Sequence, residues 1–64
     1  MQTKSKIYRN GWYVQLEKSG LWYSAIVRTP SGDLHDKMRC DDYRMALEYY
    51  RAFKAIAKAQ GGAP

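Results

Sequence analysis

The sequence predicts an α+β fold, a three-stranded antiparallel β-meander with one C-terminal amphipathic helix packed on one face. Three observations carry this. The last third of the chain, Asp42 to Gln60, repeats its apolar residues at helical spacing. Trp12 to Lys18 and Asp33 to Arg39 alternate with a period of two, with the apolar run Leu21 to Arg28 between them. Short turn sequences separate these segments and join the last to the helix, and short connections make sequential antiparallel pairing the default.

The helical segment is the longest periodic one. Wound at about 100° per residue, it places Arg44, Glu48, Arg51, Lys54 and Lys58 on one face. Met45, Ala46, Tyr49, Phe53 and Ile56 fall opposite, with Tyr50 and Ala57 at the margin. Asp41 or Asp42 suits the N-cap, where a carboxylate accepts orphan backbone N–H bonds and meets the positive end of the dipole. Gly61-Gly62 is expected to stop the helix.

Ahead of it, Trp12, Val14 and Leu16 alternate with Tyr13, Gln15 and Glu17, the pattern of a strand with two unlike faces. Ser19-Gly20 makes a tight hairpin connection. Leu21 to Arg28 is apolar on both faces, as a central strand is. Thr29-Pro30-Ser31-Gly32 has proline second and glycine fourth, which suits a type I turn. Asp33 to Arg39 alternates again but is polar, which suits an edge strand. The expected inner set is Trp12, Val14, Leu16, Trp22, Ser24, Ile26 and Met38. Tyr13, Gln15, Glu17, Tyr23, Ala25, Val27, His35, Lys37 and Arg39 then stand on the open side. The chain reads as one domain, 1–64, with a flexible basic arm at 1–6, the meander at 7–40, the helix at 42–60 and a tail at 61–64.

With 64 residues the core is small, and a chain of this size buries only about 60% of its unfolded surface. Disulfides cannot help, because Cys40 is the single cysteine. One Cys and one His make at most half of a zinc set, so no metal and no cofactor are expected. What remains is aromatic bulk: two Trp, six Tyr and one Phe. No apolar run approaches the ~20 residues of a membrane span. The charged N-terminus has no apolar core behind it, so a cytoplasmic protein is expected. Eleven Lys and Arg against six Asp and Glu give a net charge of +5, which favours polyanionic or acidic partners.

Catalysis is not expected. His35 is the only histidine and no nucleophile sits at a telling spacing. Asp33, Asp36, Asp41 and Asp42 lack the alternation of a calcium loop and read as turn and cap residues. Two surfaces remain. On the open sheet face, Tyr13 and Tyr23 stand beside His35, Lys37 and Arg39, a pairing of aromatics and cations that suits nucleic acid. On the helix, Arg44, Arg51, Lys54 and Lys58 form a basic stripe, with Lys4, Lys6 and Arg9 of the arm adding charge. Read apart from its cations, the sheet face offers Tyr13, Tyr23, Ala25 and Val27 as an apolar patch of the kind that meets a protein.

The residues Gly20-Leu21-Trp22-Tyr23-Ser24-Ala25-Ile26, then Pro30 and Gly32, then Ala46, Tyr50 and Ala57 resemble a known pattern. It is that of small DNA-binding domains with three strands and one helix: the arm-binding domains of phage tyrosine integrases and the plant ethylene-response-factor domain. The resemblance spans about residues 11–61. It implies that the sheet enters the major groove, and Lys37 and Arg39 match in kind the charged residues that touch DNA there. Gln15 and Glu17 depart from it, standing where arginines are expected. Two functions follow as expectations. One is a non-catalytic nucleic-acid-binding module, with DNA as the ligand. The other is a phage- or plasmid-encoded inhibitor of a nucleic-acid-handling complex, for example of the anti-CRISPR type, or a homodimeric module, acting through the apolar patch.

Overall fold

The computed structural model describes residues 2–61. Four strands, β1 (Gln2–Ile7), β2 (Tyr13–Ser19), β3 (Trp22–Arg28) and β4 (Leu34–Cys40), precede one helix, α1 (Tyr43–Gly61). The strands form a single antiparallel sheet in the order β1-β2-β3-β4. The α+β class, the meander and the C-terminal helix are as expected, but the sheet has four strands, not three. The segment read as a flexible arm is β1, which pairs with β2 from Gln2 opposite Glu17 to Ile7 opposite Tyr13. Thr3 Oγ1 also donates to the Leu16 carbonyl at 3.1 Å. Its composition hid it: an edge strand is kept polar and lysine-rich to discourage pairing with other chains, and TKSKI has that character. Of the expected tail, residues 62–64 lie outside the described residues, and Gly61 is the last helical one.

The two outer hairpins use the same turn. Gly11 N–H donates to Tyr8 O, and Gly32 N–H to Thr29 O, both at 2.9 Å. Tyr8 N–H then meets Trp12 O at 2.8 Å, and Thr29 N–H meets Asp33 O at 2.9 Å. Each turn ends on a glycine at φ +92°, the bulge that follows a type I turn in a three-residue loop. The two turns lie side by side, and a Cβ on Gly11 would stand 2.9 Å from Pro30 Cβ, whereas one on Gly32 would meet nothing within 4 Å. Gly11→Ala is therefore expected to destabilise more than Gly32→Ala. Both carry the left-handed penalty of about 1–2 kcal/mol, and Gly11→Ala adds a clash with a rigid ring. Urea midpoints of the two variants check the order.

The middle hairpin sets the faces. Its loop is Gly20-Leu21, so Ser19 pairs with Trp22, Leu16 with Ala25 and Val14 with Val27. A two-residue loop always pairs an even-numbered position with an odd one, and paired residues share a face. The side that carries Val14 and Leu16 therefore carries Tyr23, Ala25 and Val27. This corrects the expected inner set: Trp22, Ser24 and Ile26 are on the far side. On β4 the register slips once, so that His35 is an extra residue between the pairs Arg28–Leu34 and Val27–Asp36. That bulge puts Met38 opposite Ala25 and Cys40 opposite Tyr23, on the helix side.

The core lies between this side and α1. Val14, Leu16, Ala25, Val27 and Cys40 pack with Ala46, Tyr50, Phe53 and Ala57. Burying a side chain the size of Phe53 or Leu16 stabilises by roughly 1.5–3 kcal/mol, so a few such residues hold a chain of this length. The helix is turned slightly from the expected arc: Tyr50 and Ala57 are central and Met45 is exposed. Asp42 caps it, accepting from Arg44 N–H at 3.0 Å on its carboxylate. Asn10 Nδ2 donates to Ala57 O at 3.2 Å and ties the first turn to the helix.

Candidate functional site

Because α1 packs on β2, β3 and β4 from one side, the other side of the sheet is left open. Pairing arranges its residues in rows across the strands. Ile7, Tyr13, Arg28 and Leu34 form one row, and Ser5, Gln15, Ile26 and Lys37 the next. Glu17, Ser24 and Arg39 form a third, and Ser19 with Trp22 closes the far end. Ser24 and Ile26 are buried although no element covers them. In the register Ile26 stands between Gln15 and Lys37, and Ser24 between Glu17 and Arg39, side chains whose long apolar stems shield smaller neighbours.

The Arg39 guanidinium sits over the Trp22 ring, 4.5 Å from its centroid, and that ring is 44% exposed. Around it lies a shallow hollow of about 250 Å³ lined by Glu17, Ser19, Trp22, Ser24, Lys37 and Arg39. Gln15 Nε2 donates to Glu17 Oε2 at 3.2 Å and holds that carboxylate at the hollow's edge. A cation over an indole is attracted by the ring's quadrupole, and Arg39 lines the hollow together with Lys37. The arrangement offers fixed positive charge, a flat π surface and one carboxylate.

Of the residues expected on the open face, Tyr13, Lys37 and Arg39 are there. Tyr23, Ala25 and Val27 are not. Ala25 and Val27 are fully buried beneath the helix, and Tyr23 lies edge-on to Tyr43 at 5.4 Å. His35 sits at the bulge, edge-on to the half-buried Trp12 at 5.0 Å, out of line with Lys37 and Arg39. The sequence reading missed Trp22, which it assigned to the core, and Arg28. The signal that places both was the even-with-odd pairing of the Gly20-Leu21 hairpin.

The second basic surface is partly gathered. Lys4 and Lys6 lie opposite Leu16 and Val14, on the helix side of β1. Lys6 Nζ stands 5.3 Å from the Tyr8 ring centroid, and Lys54 Nζ 5.0 Å from that of Tyr50. Burial raises the Tyr50 hydroxyl above the ordinary tyrosine value, with Tyr8 and Tyr13 adding to the effect. Tyr8 and Tyr50 both pack in or against the core, so β1 and the helix bring Lys6 and Lys54 to one region. Arg9, Arg44, Arg51 and Lys58 are exposed.

Cys40 is buried, and its thiol donates to Asp42 O at 3.5 Å. Among the described residues no three of His, Cys, Asp and Glu are grouped to hold a metal ion, and no helix is long and apolar enough to cross a membrane. No protein-family model, curated protein or solved structure matches this chain.

Proposed function

We propose that this chain is a small non-catalytic nucleic-acid-binding module, with DNA as its ligand, that binds through the open face of its sheet. One observation carries the reading: the Arg39 guanidinium rests on the half-exposed Trp22 ring, beside Lys37, around a shallow hollow. Phosphates supply the charge that Lys37, Arg39 and Arg28 neutralise, and released counterions drive the association. The Lys4, Lys6 and Lys54 region on the other side adds to the long-range attraction without touching the hollow. The patch expected to meet a protein or a second copy, Tyr13, Tyr23, Ala25 and Val27, does not come together on this face, because Ala25 and Val27 are buried under the helix and Tyr23 faces that side; a protein partner would meet the exposed Ile7, Leu34 and Trp22 instead.

Titration with short DNA, single- and double-stranded, at about 50 and 200 mM salt tests this. Affinity should fall steeply with salt. Lys37→Ala with Arg39→Ala should lower it at least tenfold at low salt and flatten the salt slope, since each lost phosphate contact removes about 0.7–0.9 of slope. Glu17→Gln, which removes the one carboxylate lining the hollow, should tighten binding. No binding of either form of DNA at about 50 mM salt, with the fold intact by circular dichroism, would sink the proposal.

A further inference from the structure

We infer that the open face takes a single strand of nucleic acid, not a duplex; this rests on the reading above and narrows its ligand. The first reason is width. Four paired strands, about 4.8 Å apart, put the backbones of β1 and β4 roughly 14 Å from each other before any side chain is added. The major groove of B-DNA is about 12 Å wide and admits a helix or a two-stranded ribbon. A sheet that includes β1 does not enter it face-on.

The second reason is what the middle of the face presents. A sheet that read a groove floor would extend long donors from its central strands. Here Ser24 and Ile26 of β3 are 8% and 7% exposed and reach nothing beyond the surface. On β2 the Gln15 amide is spent on Glu17 at 3.2 Å, and the cationic donors stand to one side, on β4 as Lys37 and Arg39, with Arg28 at the far end of β3.

The third reason is the stack. Indole and guanidinium planes are both surfaces on which unpaired bases stack, and the faces of paired bases inside a duplex cannot reach them. Trp22 and Arg39 present these two planes together. The hollow, at about 250 Å³, is smaller than the ~300–1,000 Å³ of sites for drug-sized ligands, which suits one ring system at a time. In the bound state a base stacks at Trp22 and Arg39 while the backbone runs along β4 and across to Arg28.

The test compares a labelled oligo-dT strand with a mixed-sequence duplex of the same length by fluorescence anisotropy, on the whole chain. The single strand should bind at least tenfold tighter and quench tryptophan emission. Trp22→Ala should cost it about tenfold and cost the duplex much less, while Trp22→Phe, which keeps a ring, should retain most of the binding. With Arg28, Lys37 and Arg39 each meeting a phosphate, the slope of log K against log salt should be about −2. Duplex binding as tight as single-strand binding, with Trp22→Ala without effect, overturns this inference and leaves the broader proposal standing. Absence of binding to both ligands removes the broader proposal and this one with it. Circular dichroism of each variant separates lost contacts from lost fold.

Discussion

Removal of residues 1–7 is expected to unfold the chain, not to trim it. In a protein whose N-terminal segment is a loose basic arm, the same truncation would leave the spectrum intact and only weaken the attraction to polyanions. Here the segment is a six-residue strand that pairs with β2 from Tyr13 to Glu17. Each ladder hydrogen bond contributes about 0.5–1.5 kcal/mol net. A chain of 64 residues has a total stability of roughly 3–10 kcal/mol, so the loss of this ladder is comparable to the whole. Truncation would also leave β2, the strand that carries the fully buried Val14 and Leu16, as a bare edge. Loss of the cooperative thermal transition in circular dichroism, and of dispersed amide signals in NMR, is the expected result. A truncated chain that still melts cooperatively would return the segment to an arm. It would also narrow the sheet to three strands and remove the width argument against a duplex.

How much of this was legible depended on contrast. The helix was legible because its polar and apolar residues differ sharply at a spacing of three and four. Only its rotation was off, since Ala46 and Ala57 are small and give the apolar arc no clear centre. The turns were legible because Gly20, Pro30 and Gly32 have few other uses in such positions. Lys37 and Arg39 were set on the open face, where they stand, although the bulge at His35 that brings them to that face leaves no mark in the sequence. By contrast β3 is apolar on both sides, and two large aromatics, Trp22 and Tyr23, compete for the core. Size favoured Trp22, but the hairpin decided for Tyr23, because backbone pairing fixes the face before side-chain volume has a say. The strand β1 failed for the opposite reason: edge strands are selected to look unlike strands. That Lys6 stands by Tyr8 and Lys54 by Tyr50 depends on how the first hairpin and the helix pack on the core, a relation between distant parts of the chain that no local pattern encodes.

Val27→Asp should abolish folding at neutral pH, and this substitution separates the two assignments of β3 more sharply than any other. Val27 is 0% exposed and lies opposite Val14 in the register, inside the cluster that holds Phe53 and Tyr50. A carboxylate there stands among apolar side chains of that cluster. Burying an unpaired charge costs several kcal/mol even after relaxation, against a total of roughly 3–10 kcal/mol. Desolvation would raise the pKa of the new carboxyl in the folded state, and its neutral form is the one the core tolerates. Any residual native signal should therefore grow, relative to the parent, as the pH falls from 7 toward about 4. On the other face Trp22→Ala removes a larger side chain but one that is 44% exposed, and the fold should survive it. Near-ultraviolet circular dichroism and urea unfolding of the pair read the difference. If Val27→Asp instead unfolds within about 1 kcal/mol of the parent, Val27 faces solvent with Tyr23 and Ala25. The sheet is then inverted about β3, and Trp22 belongs to the core, where a stacking platform for bases has no access to them.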